Sequence, residues 1–167
     1  PKPNAILIND ATLWTCGPNG TLAEWDILFV DGKIEQVAPD ITVPQGSAVI
    51  IEGAGKHITP GLIDCHSHSA ASSINEGTQY ITSEVRMRDV IDPNDINIYR
   101  QLGGGLTTAN VLHGSANPIG GQNVVIKLRW GSNANELIFK NAPEGIKFAL
   151  GENVKQANWS GTNRYPQ

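Results

Sequence analysis

The sequence has little cysteine, little charge and few aromatic residues. Its two cysteines, Cys16 and Cys65, are too few for a disulfide framework. Charged residues make up 17% of the 167 residues, the formal net charge is −4, and no basic block occurs. We therefore expect no nucleic-acid partner, because such partners are bound largely through contacts of basic side chains with phosphates. No apolar run approaches the roughly 20 residues of a membrane helix, so we expect no membrane partner.

Glycine and proline, by contrast, are abundant, with 18 and 10 residues. This composition predicts many turns and argues against a helical bundle. The hydrophobic fraction of 40% is that of a globular protein, and the length is sufficient to bury a core. The chain begins at Pro1 without an initiator methionine, and Met87 is its only methionine. We therefore expect it to be a piece of a longer protein.

Residues 1–58 are predicted to form a small β-domain. Short apolar or β-branched runs of strand length alternate there with turn signals. Asp31-Gly32 is the clearest of these signals, because Asp-Gly is typical of a two-residue hairpin turn. The predicted strands are residues 5–8, 12–15, 27–30, 34–38 and 48–51.

Residues 59–167 are predicted to be an α/β region. A strand leading into residues 62–68 and a second strand over 106–112 enclose a predicted helix. Asp92 is the expected N-cap of that helix, and Gly103-Gly104-Gly105 is its expected end. Strand, helix and strand in this order imply a βαβ unit with parallel strands.

The predicted helix has one apolar face, formed by Ile96, Tyr99 and Leu102 at a spacing of three. Two further strands are expected at residues 124–128 and 146–150. We therefore expect consecutive parallel βα units in this part of the chain.

The residues with the clearest chemical potential lie in the first strand of this region. Side chains alternate along a strand, so Asp64, His66 and His68 point to one face and Cys65 to the other. Two imidazoles at this spacing can reach one divalent ion, and imidazole suits zinc, iron, nickel or copper. The alternative is a pair of ordinary surface histidines. The apolar Gly61-Leu62-Ile63 leading into the pair favours a site at the end of a buried strand.

These residues resemble the first barrel strand of the amidohydrolase superfamily of metal-dependent hydrolases. The likeness is greatest to its imidazolonepropionase- and prolidase-like branch. The resemblance implies a small β-sandwich domain, with residues 1–58 as its N-terminal portion, followed by a distorted (β/α)8 (TIM) barrel. Residues 59–167 would be the first βα units of that barrel, which is incomplete in this chain. The matching motifs are residues 60–68, 75–76, 105–108, 113–118, 120–122 and 147–153.

Carried over to this chain, the resemblance implies that His66 and His68 bind the more buried metal, with zinc expected first among divalent ions and one or two ions in the intact enzyme. A two-metal site also needs a bridging group from a later strand. Lys147, as a carboxylated lysine, is preferred for that role, and Glu152 at the end of the same predicted strand is the alternative.

Two further residues have less direct roles in the resemblance. Asp64 would lie behind the metal ligands and orient a histidine or steady the strand, or it would be a structural carboxylate that caps nearby backbone groups. His113, just beyond the second barrel strand, would contact substrate. The alternative for His113 is that it holds its own loop through a backbone hydrogen bond.

The function implied is that of the N-terminal part of an enzyme hydrolysing C–N bonds, in an amide, a cyclic amide or a peptide, through a metal-activated hydroxide. No catalytic residue is assigned within this chain, since the further histidines and the proton-shuttling aspartate of the family do not occur after His113. We therefore expect these 167 residues alone to be inactive. Partners would be the small-molecule substrate, the rest of the parent chain and, by self-association, a second copy. The alternative is a non-catalytic β-rich interaction or scaffold module with an incidental His-x-His.

Overall fold

A computed structural model describes residues 3–156, with only the backbone of Gln156 described. The chain divides into two compact units, one up to Pro60 and the other from Gly61 onward. Residues 157–167, the end of the predicted α/β region, lie outside the described part. Within residues 3–156, no helix is both long enough and apolar enough to span a membrane.

The first unit is built on one five-stranded sheet. Its strands run in the order β3-β2-β1-β4, and β5 pairs with the far end of β1. β1 is antiparallel to β2 and parallel to β4 and β5. The strands are β1 (Ala5–Trp14), β2 (Thr21–Val30), β3 (Lys33–Ala38), β4 (Val49–Glu52) and β5 (His57–Ile58).

The first two predicted strands are in fact a single bulged strand. Asp10 has a φ of 55° and the pairing of β1 with β2 shifts on either side of Ala11. Since a bulge inserts an extra residue into one strand, it reverses the side-chain alternation that the sequence prediction follows. The prediction of two separate strands was therefore wrong.

The hairpin predicted at Asp31-Gly32 is confirmed. Both residues have positive φ angles, 49° and 77°, and Val30 pairs with Lys33 directly across the turn. A left-handed pair of this kind matches the twist of the two strands, and glycine adopts it without a steric penalty. The core of this unit packs around the buried residues Ala11, Leu13 and Ile27. Within residues 3–60 only this one sheet occurs, so these residues do not by themselves make two layers.

The second unit contains a three-stranded sheet in the order β6-β7-β9. β6 (Leu62–Ser67) and β7 (Leu106–Val111) are parallel neighbours, as predicted. β9 (Val124–Lys127), however, runs antiparallel to β7. The expectation of consecutive parallel βα units was wrong at this point, because residues 112–123 between the two strands form no helix. A parallel crossover usually needs a dozen or more residues and a helix.

The remaining elements of the second unit are short. β8 (Ile119–Gln122) and β10 (Ile146–Phe148) form a separate antiparallel pair. The helical elements are a 3₁₀ turn at Met87–Val90, α1 (Ile96–Gly103), α2 (Ala134–Leu137) and α3 (Glu152–Gln156).

The helix between β6 and β7 begins later than predicted. Its N-cap is Asp95, whose carboxylate accepts the backbone N–H of Asn97 at 2.9 Å, and not Asp92. Asp92 accepts instead from the N–H of Asn94, in the turn that precedes the helix. The predicted end is confirmed, with Gly104 as C-cap and Gly105 at a φ of 92°.

The buried face of α1 also differs from the prediction. Ile98 is buried in the core of the unit, whereas Ile96, Tyr99 and Leu102 are exposed. The core packs around Ala109 and Val111 of β7 and the facing residues of β9. Spacing alone identified an apolar stripe on α1, but it did not determine which side of the helix faces β7.

Candidate metal centre

The two candidate metal ligands lie at the end of β6. His66 belongs to the strand, and His68 follows it by one residue. Their rings are 5.3 Å apart between centroids and nearly perpendicular, and both residues are exposed. β6 is the edge strand of its sheet, and Leu62 and Ile63 near its start are 62% and 71% exposed. The two imidazoles are therefore close together and accessible.

A backbone hydrogen bond orients the ring of His68. Its Nδ1 lies 2.9 Å from the carbonyl oxygen of Leu112. Because a carbonyl oxygen only accepts, Nδ1 carries the proton. Nε2 of the neutral ring then has a free lone pair, which is the form that binds a metal.

Lys147 approaches the same place from a different strand. It lies in β10, as the sequence predicted, and its Nζ is 3.3 Å from Nε2 of His66. The alternative residue, Glu152, is not in that strand but in the first turn of α3. The structure therefore brings Lys147 together with the two histidines and shows no such contact for Glu152. A carbamate on Nζ would replace the ammonium charge with a carboxylate-like ligand beside His66.

Asp64 stabilises the backbone of the strand. Its Oδ1 accepts the N–H of His66 at 3.0 Å. This contact corresponds to the backbone-capping alternative, and it also holds the residue that carries one imidazole. Cys65, expected to pack away from the site, has an exposed free thiol.

The donors present fit part of a metal site. Two imidazoles and one amine converge, but within residues 3–156 no group of three histidine, cysteine or carboxylate side chains is arranged to hold an ion. Structural and catalytic zinc sites use three or four protein ligands. His66 and His68 thus form a half-site, to which Lys147 can add only after carboxylation.

His113 does not lie on the accessible surface of this site. It is 0% exposed, and both of its ring nitrogens bind the backbone. Nδ1 donates to the carbonyl of Gly114 at 2.9 Å, and Nε2 accepts the N–H of Glu76 at 2.8 Å. The ring therefore has no nitrogen left for a substrate, and the geometry matches the loop-holding alternative.

A second buried residue, Asn117, completes this cluster. Its Nδ2 lies 2.7 Å from Oγ1 of Thr82 and 3.1 Å from the carbonyl oxygens of Glu76 and Gln79. Asn117 is also 0% exposed. No local pattern in the sequence pairs Asn117 with Thr82, because the two residues lie 35 positions apart.

Two glycines make room for the ring of His113. A Cβ at Gly120 would lie 2.5 Å from His113 Nδ1, and one at Gly121 would lie 2.7 Å from the carbonyl oxygen of Val85. Real Cβ atoms essentially never come this close to another heavy atom. The Gly120-Gly121 pair is therefore part of the packing around His113, and we call His113, Asn117, Thr82 and these two glycines the loop clamp.

No family model matches the chain. The amidohydrolase tasK of Hapsidospora irregularis is 32% identical over 192 aligned positions, which cover 95% of this chain and 20% of that protein. An imidazolonepropionase of Klebsiella pneumoniae (strain 342) is 41% identical over 51 residues, 30% of this chain and 12% of that protein. The crystal structure of an amidohydrolase from Thermotoga maritima MSB8 superposes with a TM-score of 0.81 at 36% identity. The chain belongs to the amidohydrolase superfamily.

The superposition covers 93% of this chain and 42% of the Thermotoga structure. The likeness to an amidohydrolase fold thus extends over nearly all of the chain. The chain spans about a fifth of the length of tasK and less than half of the solved amidohydrolase.

Proposed function

We propose that this chain is the N-terminal part of a metal-dependent amidohydrolase that hydrolyses a C–N bond in an amide, a cyclic amide or a peptide. The observation that carries the proposal is the convergence of His66, His68 and Lys147 at the carboxyl end of a parallel strand. In barrel enzymes this end of the strands bears the active site.

His66 and His68 would hold a divalent metal, with zinc expected first, through the ring nitrogens that face away from the backbone. Lys147 would bridge to a second ion as its carbamate, since its amine already lies beside His66. Asp64 would keep the backbone of His66 in place. When bound, the metal supplies Lewis-acid chemistry, which polarises a carbonyl and activates water.

The second unit would be the beginning of a (β/α)8 barrel. Support comes from the parallel pair β6 and β7 with α1 between them, which is the repeating unit of such a barrel. The free edge of β6 and the exposure of Leu62 and Ile63 are what a strand shows when its neighbour is supplied by other residues. Further metal ligands and a proton-shuttling aspartate would come from the rest of the parent protein, so the 167 residues alone would be inactive. Their unpaired strand edge would lead them to self-associate.

The test is made on the full-length protein that contains these residues. His66→Ala and His68→Ala should each lower the bound metal to well below one equivalent and abolish amide and dipeptide hydrolysis, because each removes one of few nitrogen ligands. His57→Ala is the matched control, since His57 is an exposed histidine of the first unit whose ring Nδ1 accepts the indole N–H of Trp14. Metal content by elemental analysis and turnover are measured on all four proteins. Full activity and full metal content in both site variants would contradict the proposal.

A further inference from the structure

His68 presents Nε2 to a metal only while Nδ1 holds its proton. A neutral histidine in water exchanges between two tautomers, and its hydrogen-bond partners decide which one dominates. For His68 that partner is the carbonyl oxygen of Leu112. The position of this one oxygen therefore sets the tautomer.

The Leu112 carbonyl lies at the start of a loop, not within a strand. β7 ends at Val111, and the only backbone bond that ties Leu112 to β6 is from its N–H to the carbonyl of Ser67, at 3.0 Å. That bond fixes the amide side of Leu112 and leaves its carbonyl side free to rotate about ψ. The orientation of this carbonyl therefore depends on the residues that follow Leu112.

His113 is the next residue and supplies this restraint. The carbonyl group of Leu112 and the N–H and Cα of His113 belong to one planar peptide unit, so anchoring His113 restrains the orientation of that carbonyl. His113 is fully buried, with Nδ1 bound to Gly114 and Nε2 bound to the N–H of Glu76. The adjacent N–H of Gly114 donates to the carbonyl of Ile74 at 2.6 Å.

The remainder of the loop clamp holds the segment that His113 binds. Asn117 bonds to the carbonyls of Glu76 and Gln79 and to the hydroxyl of Thr82. The N–H of Thr82 in turn donates to the carbonyl of Ile119 at 3.0 Å. The segments 74–82 and 113–119 therefore fix each other, and the ring of His113 lies between them.

We propose that His113 is a positioning residue, which fixes the Leu112 carbonyl through the loop clamp and so keeps His68 in the Nδ1–H tautomer that presents Nε2 to a metal. This positioning role of His113 rests on the proposed function, because the tautomer of His68 matters only if His68 binds a metal. The tautomer itself can be measured without metal, so failure of this inference and failure of the proposed function are distinguishable.

The experiment uses the full-length protein, labelled with ¹⁵N-histidine and freed of metal by chelation, in alkaline solution where histidine side chains are neutral. Long-range ¹⁵N–¹H correlation spectra report the tautomer, and the signals of His68 are assigned by their loss in His68→Ala. We expect the Nδ1–H form in the wild-type protein and a mixture of tautomers in His113→Ala. Leu137→Ala, which opens a cavity in the hydrophobic core of the same unit but removes none of the hydrogen bonds of the loop clamp, is the matched control and should keep the wild-type tautomer.

A second readout is the affinity for zinc added to the metal-free proteins. His113→Ala should bind about 10- to 100-fold more weakly, the usual cost of losing support behind a ligand, and Leu137→Ala should not change. If His113→Ala does not fold, His113→Gln is used, since its amide keeps one donor and one acceptor, and a smaller shift in the same direction is expected. A wild-type His68 in the Nε2–H form, or the same tautomer in the wild-type protein and the His113 variant, would overturn the proposal.

Discussion

The second unit contains three histidines in two opposite environments. His66 and His68 are exposed and lie at the edge of a sheet, and each keeps a ring nitrogen that a metal ion can reach. His113 is fully buried, and both of its nitrogens are bound to the backbone. The comparison shows that the same side chain serves as a candidate ligand or as a structural element, according to how many of its nitrogens the fold already uses.

The largest expected difference between the two environments is in how much replacement of a histidine by alanine lowers the stability of the chain. His113→Ala should lower the free energy of unfolding of the metal-free chain by about 4 kcal/mol, because it creates a buried cavity and leaves the Glu76 N–H without its acceptor. His68→Ala should change it by less than about 0.5 kcal/mol, as is usual for an exposed residue. Urea denaturation with a chelator present measures both. Equal losses in the two variants would show that the contrast in burial has no energetic meaning.

A smaller effect is expected from the glycine that borders the buried ring. Gly120→Ala should destabilise the chain by about 2 kcal/mol, because the new Cβ would overlap the ring of His113 and force a shift. Gly103→Ala is the control, since nothing lies within 4 Å of that position, and it should stabilise α1 by about 0.5 kcal/mol. Thermal unfolding of the two variants compares them. Two variants with the same midpoint would contradict the tight packing described for the loop clamp.

Sequence reasoning predicted the parts of the fold that depend on local chemistry. Asp31-Gly32 predicted its hairpin because the turn is determined by these two residues. Gly103-Gly104-Gly105 likewise predicted the end of α1, where Gly104 is the C-cap. The strand that carries His66 and leads into His68 was also predicted correctly, as was its parallel neighbour.

The errors arose where distant residues decide the structure. Nothing local shows that residues 5–14 form one bulged strand, that β9 turns back antiparallel to β7, or that Ile98 is the buried residue of α1. The spacing of His66 and His68 identified a candidate half-site, but the role of His113 depends on Glu76, 37 positions away. Lys147 was chosen from a resemblance, and its approach to His66 across 81 positions is visible only in the structure.

The most direct test of the metal half-site is anomalous diffraction at the zinc absorption edge, from crystals of the full-length protein loaded with zinc. This half-site predicts an anomalous peak at about 2.0–2.1 Å from Nε2 of His66 and of His68, the usual zinc–imidazole distance. A fully occupied zinc peak with neither of these nitrogens in its coordination sphere would contradict it.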